Sequence, residues 1–218
     1  MKKERVHMLV ESAMLITLGI ALELGSKLLI PEMPFGGQLT LASMLPLVLI
    51  SYRHGVRWGL FCGAAYSILQ MAIGTKTVMA AFQPGYFGDE RMILNAIVMV
   101  ILDYFLAYLL LGLGGIFRNR IKKPGVALMC GSIVALLCRY VAHIFSGFIL
   151  FSGWAEWFFT QEGFPLWGKT LVENLGDGML GLTYSIVYNG MYMIPEIIIT
   201  AIAAILIARV PKIVVKMN

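Results

Sequence analysis

Residues 125–151 read GVALMCGSIVALLCRYVAHIFSGFILF, an apolar run whose only ionisable side chains, other than its cysteines and tyrosine, are Arg139 and His143. A helix that crosses a lipid bilayer needs about 20 predominantly apolar residues. This run therefore predicts a transmembrane helix, and the two polar side chains inside it need an explanation of their own.

Similar runs account for most of the remaining chain, and we place them at about 8–30, 39–52, 56–73, 93–116 and 186–209. The 218 residues are 59% hydrophobic and 13% charged, whereas soluble domains carry about a quarter charged residues. The sequence predicts an all-α integral membrane protein of six transmembrane helices, forming a single domain over residues 1–218. The short second run should form a tight hairpin with the third.

Positive charge is distributed unevenly between the loops. The N-terminus, every second loop and the C-terminus carry most of the Lys and Arg, whereas the other loops carry only Lys76, Arg91 and Lys169. Because cytoplasmic segments are enriched in Lys and Arg, both termini are predicted to be cytoplasmic. The net charge of +5 therefore reflects orientation in the lipid bilayer and does not indicate nucleic-acid binding.

Residues 163–170, GFPLWGKT, match the pattern of a nucleotide-binding phosphate loop. Such a loop needs a buried strand before it and a helix after it. Here the match lies in the segment 152–185, which we predict to be a long external loop, whereas ATP is cytoplasmic. We attribute it to chance. We also predict no metal site and no enzyme activity, because the chain shows no metal-ligand spacing and no catalytic motif.

Three ionisable side chains lie deep in predicted helices: Asp103 in the fourth, and Arg139 and His143 in the fifth. Each costs at least about 2.5–3.5 kcal/mol to insert, so each is a candidate functional residue. At about 1.5 Å per residue, Asp103 lies ~15 Å from the outer end of its helix. Arg139, His143 and Gly147 share one helix face. Together with Asn189 they are predicted to line one cavity that opens outward.

Two interpretations of these charges remain open. Asp103 and Arg139 could form an ion pair that only locks two helices together. Alternatively, a carboxylate among aromatic rings could bind an organic cation, since ring faces attract positive charge. Elsewhere, Glu23 and Lys27 are expected to form a local pair, while the role of Glu196 stays undecided. The aromatic side chains near the predicted cavity are Tyr104, Phe148, Phe151, Trp154, Tyr184 and Tyr188.

Several short motifs occur in a characteristic order between residues 11 and 211. They are PFGG at 34–37, LASMLP at 41–46, SYRHG at 51–55, LDY at 102–104, RYVAH at 139–143 followed by SG at 146–147, and YSIVYNG at 184–190. With these motifs the chain resembles the thiamine-specific S component of energy-coupling factor (ECF) vitamin transporters.

The resemblance implies a six-helix subunit of a bacterial plasma membrane that captures thiamine from outside, without a cofactor. Such a subunit associates with a transmembrane coupling protein and two cytoplasmic ATPases. It also implies a lid from Pro34 to Leu41 and a partner contact through Ala13, Thr17 and Ala21. The stacking aromatic is either Phe151 or Trp154. The implied binding residues are Asp103, Tyr104, Arg139, His143, Gly147, Phe151, Trp154, Tyr184 and Asn189.

Other functions are compatible with these residues. An S component for a different vitamin or a thiamine precursor is one, and an anionic vitamin would use Arg139 rather than Asp103. A stand-alone carrier that couples transport to protons through Asp103 and His143 is another, and it would work without any ATPase.

Overall fold

Helices form all of the regular secondary structure in residues 2–31, 33, 37–87 and 91–215, which the computed structural model describes. Five helical segments in this part of the chain are long and apolar enough to cross a membrane, which confirms the prediction of an all-α membrane protein. The α-helices are α1 (Lys2–Leu29), α2 (Leu45–His54), α3 (Val56–Ile73), α4 (Thr75–Ala81), α5 (Met92–Met99), α6 (Ala107–Leu109), α7 (Pro124–Phe151), α8 (Ala155–Thr160), α9 (Trp167–Asn174) and α10 (Asp177–Ile207).

The second apolar run forms a shorter helix than predicted, because α2 begins only at Leu45. Its ten residues extend about 15 Å, half the thickness of the hydrocarbon core. The preceding segment 37–44 has no regular helix, yet Thr40, Ser43 and Met44 within it are buried. Irregular backbone at membrane depth is tolerated where protein covers it or where it lines a cavity.

A sharp turn joins α2 to α3, as predicted. Gly55 alone separates the two helices, and its φ of 96° lies in the left-handed region that favours glycine. Further along α3, a Cβ on Gly59 would lie 2.9 Å from the carbonyl oxygen of Gly112, and one on Gly63 would lie 2.7 Å from that of Tyr108. The small residues of α3 therefore let the next long helix approach closely, as is usual for helices packed in lipid.

That next helix is composite and runs over Met92–Gly115. Between α5 and α6 it is a π-helix, Val100–Leu106, and beyond α6 it tightens into a 3₁₀-helix, Leu110–Gly115. Short π-helical segments widen the helix by one residue per turn and occur frequently at functional sites. Asp103 and Tyr104 both lie in this π-helical segment.

The segment 152–185, predicted to be a long loop, is largely helical. It contains α8, α9 and the first turns of α10. Its aromatic side chains explain the difference, since Phe158 and Phe159 of α8 pack into the main core beside Tyr184 and Tyr188. Burial of these large rings stabilises the segment against the end of the bundle.

The phosphate-loop match at 163–170 has the wrong structural context. A helix, α8, precedes it instead of the buried strand, although a helix, α9, does follow. Without that strand, the segment lacks the strand–loop–helix arrangement in which the motif holds its cradle of backbone N–H groups.

Contact between α7 and the composite helix leads to a first prediction. A Cβ on Gly131 would lie 1.9 Å from the carbonyl oxygen of Gly114. The backbone fixes the positions of both atoms, so neither can rotate away. We expect Gly131→Ala to cost at least about 1–3 kcal/mol of stability, the usual effect of overpacking. Thermal unfolding in detergent measures it. Gly25→Ala is the matched control, because its Cβ would meet nothing within 4 Å; equal unfolding temperatures for the two variants would contradict this packing.

Candidate functional site

A cavity of about 320 Å³ lies between α1, α3, α4, the composite helix, α7, α10 and the segment 37–44. Every predicted binding residue except Trp154 contributes to its wall. Trp154 lies outside, 43% exposed, with its ring edge-on to Trp157. Of the lid residues, Pro34, Phe35 and Gly36 lie outside the described part of the chain. The predicted residues in the wall are Asp103, Tyr104, Arg139, His143, Gly147, Phe151, Tyr184 and Asn189.

Two side chains of α7 hold the carboxylate of Asp103. The Nδ1 atom of His143 lies 2.8 Å from Oδ1, and the hydroxyl of Ser146 donates to Oδ2 over 2.5 Å. The side chain of Asp103 nevertheless remains 22% exposed. The carboxylate is thus fixed in orientation while one side of it faces the cavity.

Arg139 determines which nitrogen of His143 carries the proton. Its Nε–H donates to His143 Nε2 over 3.2 Å, so Nε2 must act as an acceptor. The proton of the neutral ring therefore resides on Nδ1, where it donates to Asp103. The hydrogen bond from Arg139 thus sets the tautomer of His143, which is a common way in which proteins orient a functional histidine.

The guanidinium of Arg139 is engaged on its other sides as well. It lies over the ring of Tyr108, 4.5 Å from the centroid, and Nη1 lies 2.8 Å from the sulfur of Met44. In the described structure Asp103 and Arg139 are linked through His143 and do not pair directly. The simple helix-locking ion pair considered from the sequence is therefore not the arrangement found.

Asn189 connects α10 to the same network. Its amide nitrogen donates to the carbonyl oxygens of His143 (3.2 Å) and Ser185 (2.9 Å). Its amide oxygen accepts from the hydroxyl of Tyr192 over 2.6 Å. These bonds fix the amide, and they tie the backbone of α7 at His143 to α10.

Gly147 allows α7 and α10 to pack closely and does not leave open space beside the backbone. A Cβ on Gly147 would lie 2.3 Å from Ser185 Oγ and 3.0 Å from the amide nitrogen of Asn189. Ser185 and Asn189 of α10 already fill that position. The glycine lets α10 come close enough to α7 for the Asn189 bonds to form.

We therefore expect Gly147→Ala to lower the thermal unfolding temperature, by an overpacking cost of about 1–3 kcal/mol. Adding Ser185→Ala should recover part of the loss, because it removes the oxygen that the new methyl group meets. A double variant that is less stable than the two single effects combined would show that the contact is not the cause.

Sequence reasoning missed several residues of the cavity wall. Glu23 forms the predicted pair with Lys27, at 3.6 Å, but it also accepts hydrogen bonds from Tyr66 (3.1 Å) and Gln70. These partners lie on α3, and nothing local to α1 indicates them. Ser146 could have been found, since it lies seven residues after Arg139 and therefore on the same helix face. Tyr108, Tyr192 and Met44 of the cavity wall were also missed, whereas Tyr188 and the lid residues Gln38 and Thr40, which the sequence did indicate, contribute to it as well.

Two further regions bear on function. Ala13, Thr17 and Ala21 are all exposed on α1, so this stripe of small residues is not covered by the bundle. In the part of the chain that the structure describes, no group of three or more His, Cys, Asp or Glu side chains is arranged to hold a metal ion.

The fold and the cavity define a membrane-embedded protein that binds a small molecule. The chain belongs to the thiamine transporter protein family (Thia_YuaJ), whose model matches residues 9–174. It is 29% identical to the thiamine transporter ThiT of Bacillus subtilis over 208 residues, which cover 91% of this chain and 88% of that protein. This membership confirms the resemblance seen in the sequence motifs.

A solved structure of ThiT from Listeria monocytogenes shares the fold. It superposes with a TM-score of 0.60 at 20% identity, covering 97% of this chain and 98% of that one.

Proposed function

We propose that this chain, as a single domain, is the high-affinity thiamine-binding subunit of an ATP-driven ECF-type uptake transporter. The observation that carries the proposal is the carboxylate of Asp103, fixed by His143 and Ser146 while facing an aromatic-lined cavity. Thiamine consists of a permanently cationic thiazolium ring joined to an aminopyrimidine. A carboxylate neutralises such a cation, and neighbouring rings add cation–π attraction.

The aromatic side chains provide the surfaces against which thiamine would lie. Tyr104, Phe151, Tyr184 and Tyr188 all line the cavity. Because Phe151 contributes to the wall and Trp154 does not, we assign the stacking role to Phe151. A cavity of about 320 Å³ lies at the small end of the range for ligand pockets, as expected for a compact vitamin.

Charges of both signs line the cavity, namely Glu23 paired with Lys27, the exposed Lys76, Asp103 and Arg139. Of these, the availability of Asp103 supports binding of a cation. Arg139 also lines the cavity, but its guanidinium is already engaged by His143, Met44 and the ring of Tyr108. Asp103 keeps an exposed edge. An anionic vitamin that bound Arg139 would have to displace the contacts of that guanidinium, whereas a cation can bind Asp103 without breaking the two bonds that hold it.

We infer six membrane crossings with both termini at the cytoplasmic face of a bacterial plasma membrane, and a cavity that opens outward. The distribution of Lys and Arg supports this orientation. For the second crossing, we infer that α2 spans half of the bilayer and that the protein-covered segment 37–44 completes it.

We further propose that uptake requires a transmembrane coupling protein and two cytoplasmic ATPases, and that this chain has no enzymatic activity. The exposed stripe of Ala13, Thr17 and Ala21 suits contact with another membrane helix, because small residues allow close backbone approach in lipid. A stand-alone proton-coupled carrier predicts instead that vesicles containing this chain alone accumulate thiamine.

Calorimetric titration of the purified protein with a panel of vitamins tests the assignment. Thiamine should bind most tightly, its aminopyrimidine precursor more weakly, and riboflavin and biotin not measurably. Binding of riboflavin or biotin without binding of thiamine would refute the proposed specificity. Uptake by vesicles that contain the chain without any ATPase would favour the proton-coupled carrier.

A further inference from the structure

Glu196 is a buried acid that the binding site does not use. It lies in α10 directly after Pro195, is 2% exposed and is not part of the cavity wall. Its Oε2 atom accepts two hydrogen bonds from Thr40, one from the backbone N–H and one from the hydroxyl, both 2.7 Å long. Its Oε1 atom accepts a longer bond of 3.4 Å from Thr200. An acid at membrane depth is costly, and it marks a functional position by default.

The partner of Glu196 belongs to an irregular part of the cavity wall. Gly37, Gln38, Thr40 and Met44 all line the cavity, and the segment 37–44 that carries them has no regular helix. Its backbone N–H groups have no helical partners, so they need acceptors elsewhere in the protein or in the cavity, because lipid supplies none. Glu196 supplies the partner for Thr40.

Other contacts hold the same segment on its α1 side. The N–H of Leu41 donates to Ser26 Oγ over 2.9 Å, and the side-chain amide of Gln38 donates to the carbonyl oxygen of Ile30 over 3.0 Å. Directly after these anchors, Ala42 adopts a φ of 58°, a conformation that a residue with a side chain rarely takes. The segment keeps this strained path only while its anchors on α1 and α10 hold it.

We propose that Glu196 is a positioning residue for ligand binding, which holds Thr40 against α10 and thereby fixes the cavity wall formed by residues 37–44. This inference rests on the proposed function for its effect on thiamine. The two hydrogen bonds between Glu196 and Thr40, which we call the clamp, do not depend on the ligand's identity. Without the carboxylate, Thr40 loses both hydrogen bonds to α10 and the wall opens more often.

The expected consequence is faster release of the ligand. Hydrogen bonds to a charged group contribute enough free energy that their loss changes a rate constant by about tenfold or more. Glu196→Ala should therefore raise the thiamine dissociation rate by at least about tenfold. The association rate should stay within about twofold, since Asp103 and the aromatic rings are untouched. Stopped-flow measurement of protein fluorescence separates the two rates.

Hydrogen exchange of backbone amides tests the clamp without any ligand. In the wild-type protein the Thr40 amide should exchange slowly, and in Glu196→Ala it should exchange at least about tenfold faster. Glu196→Gln should restore much of the protection, because its amide oxygen can still accept from the Thr40 N–H. Thr200→Val is the matched control, since it removes only the 3.4 Å bond, and it should behave like the wild type.

The outcomes are distinct. Unchanged exchange at Thr40 in Glu196→Ala overturns the clamp, and so does an unchanged dissociation rate in a variant whose exchange has increased. If the wild-type protein does not bind thiamine, the proposed function fails while the exchange experiment still decides the clamp. Should Glu196→Ala not fold, Thr40→Ala removes the hydroxyl bond from the other side, leaves α10 intact, and should show a smaller increase in exchange of the same segment.

Discussion

Replacing Asp103 by Asn is expected to weaken thiamine binding by at least about a hundredfold. The variant keeps the size of the side chain but removes its negative charge, so the thiazolium ring loses its counter-ion in a largely buried cavity. Truncating one partner of a buried charge pair typically costs about 2–5 kcal/mol, and a hundredfold change corresponds to about 2.7 kcal/mol. Titration calorimetry at constant salt measures the difference directly.

Asp177→Asn is the matched control for this substitution. Asp177 is an exposed acid in the first turn of α10 and does not line the cavity. It changes the net charge of the protein by the same amount, so it should bind thiamine like the wild type. If Asp103→Asn bound thiamine within about threefold of this control, Asp103 would not be the counter-ion of the ligand.

Replacing His143 by Ala is expected to weaken thiamine binding by roughly ten- to a hundredfold. The imidazole joins Asp103 to Arg139, donating to the carboxylate at Nδ1 and accepting from the guanidinium at Nε2. Its removal leaves Ser146 as the remaining hydrogen-bond partner that the described residues give this carboxylate, and it leaves the Nε–H of a buried arginine without its acceptor. Loss of a hydrogen bond to a charged group costs about 1.5–3 kcal/mol.

Thermal unfolding of His143→Ala should accompany its titration, because a buried network also stabilises the fold. His7→Ala is the control, since His7 is exposed on α1. A variant that unfolds at a lower temperature but binds thiamine normally would assign His143 to stability alone. Normal affinity together with normal stability would contradict both roles.

Much of the fold could be predicted from the sequence, because the membrane imposes a simple rule on apolar length. The run at 125–151 became part of one long helix, α7. The run at 39–52 did not, and the reason is not local. Its first residues are held by contacts with distant parts of the chain, such as the bonds of Thr40 to Glu196, which is 156 positions away. A pattern of apolar residues cannot show such a partner.

The sequence could predict which residues form the candidate site, but not which of them pair with each other. Asp103, Arg139 and His143 stood out because a charge inside an apolar helix is costly. Which of them pair depends on the rotation of the composite helix, and its π-helical segment around Asp103 alters that rotation. The sequence therefore left a direct bond to Arg139 open, whereas the structure places His143 between the two charges. The packing role of Gly147 was hidden for a similar reason, since Ser185 belongs to another helix.

An experimental structure of the protein with bound thiamine would show whether Asp103 is the counter-ion of the ligand. We predict that the thiazolium ring lies within about 4–6 Å of the Asp103 carboxylate, the range in which an opposite charge is stabilised, with a ligand ring stacked on Phe151. Thiamine bound outside this cavity, or inside it with the thiazolium ring turned away from Asp103, would contradict the assigned role of Asp103.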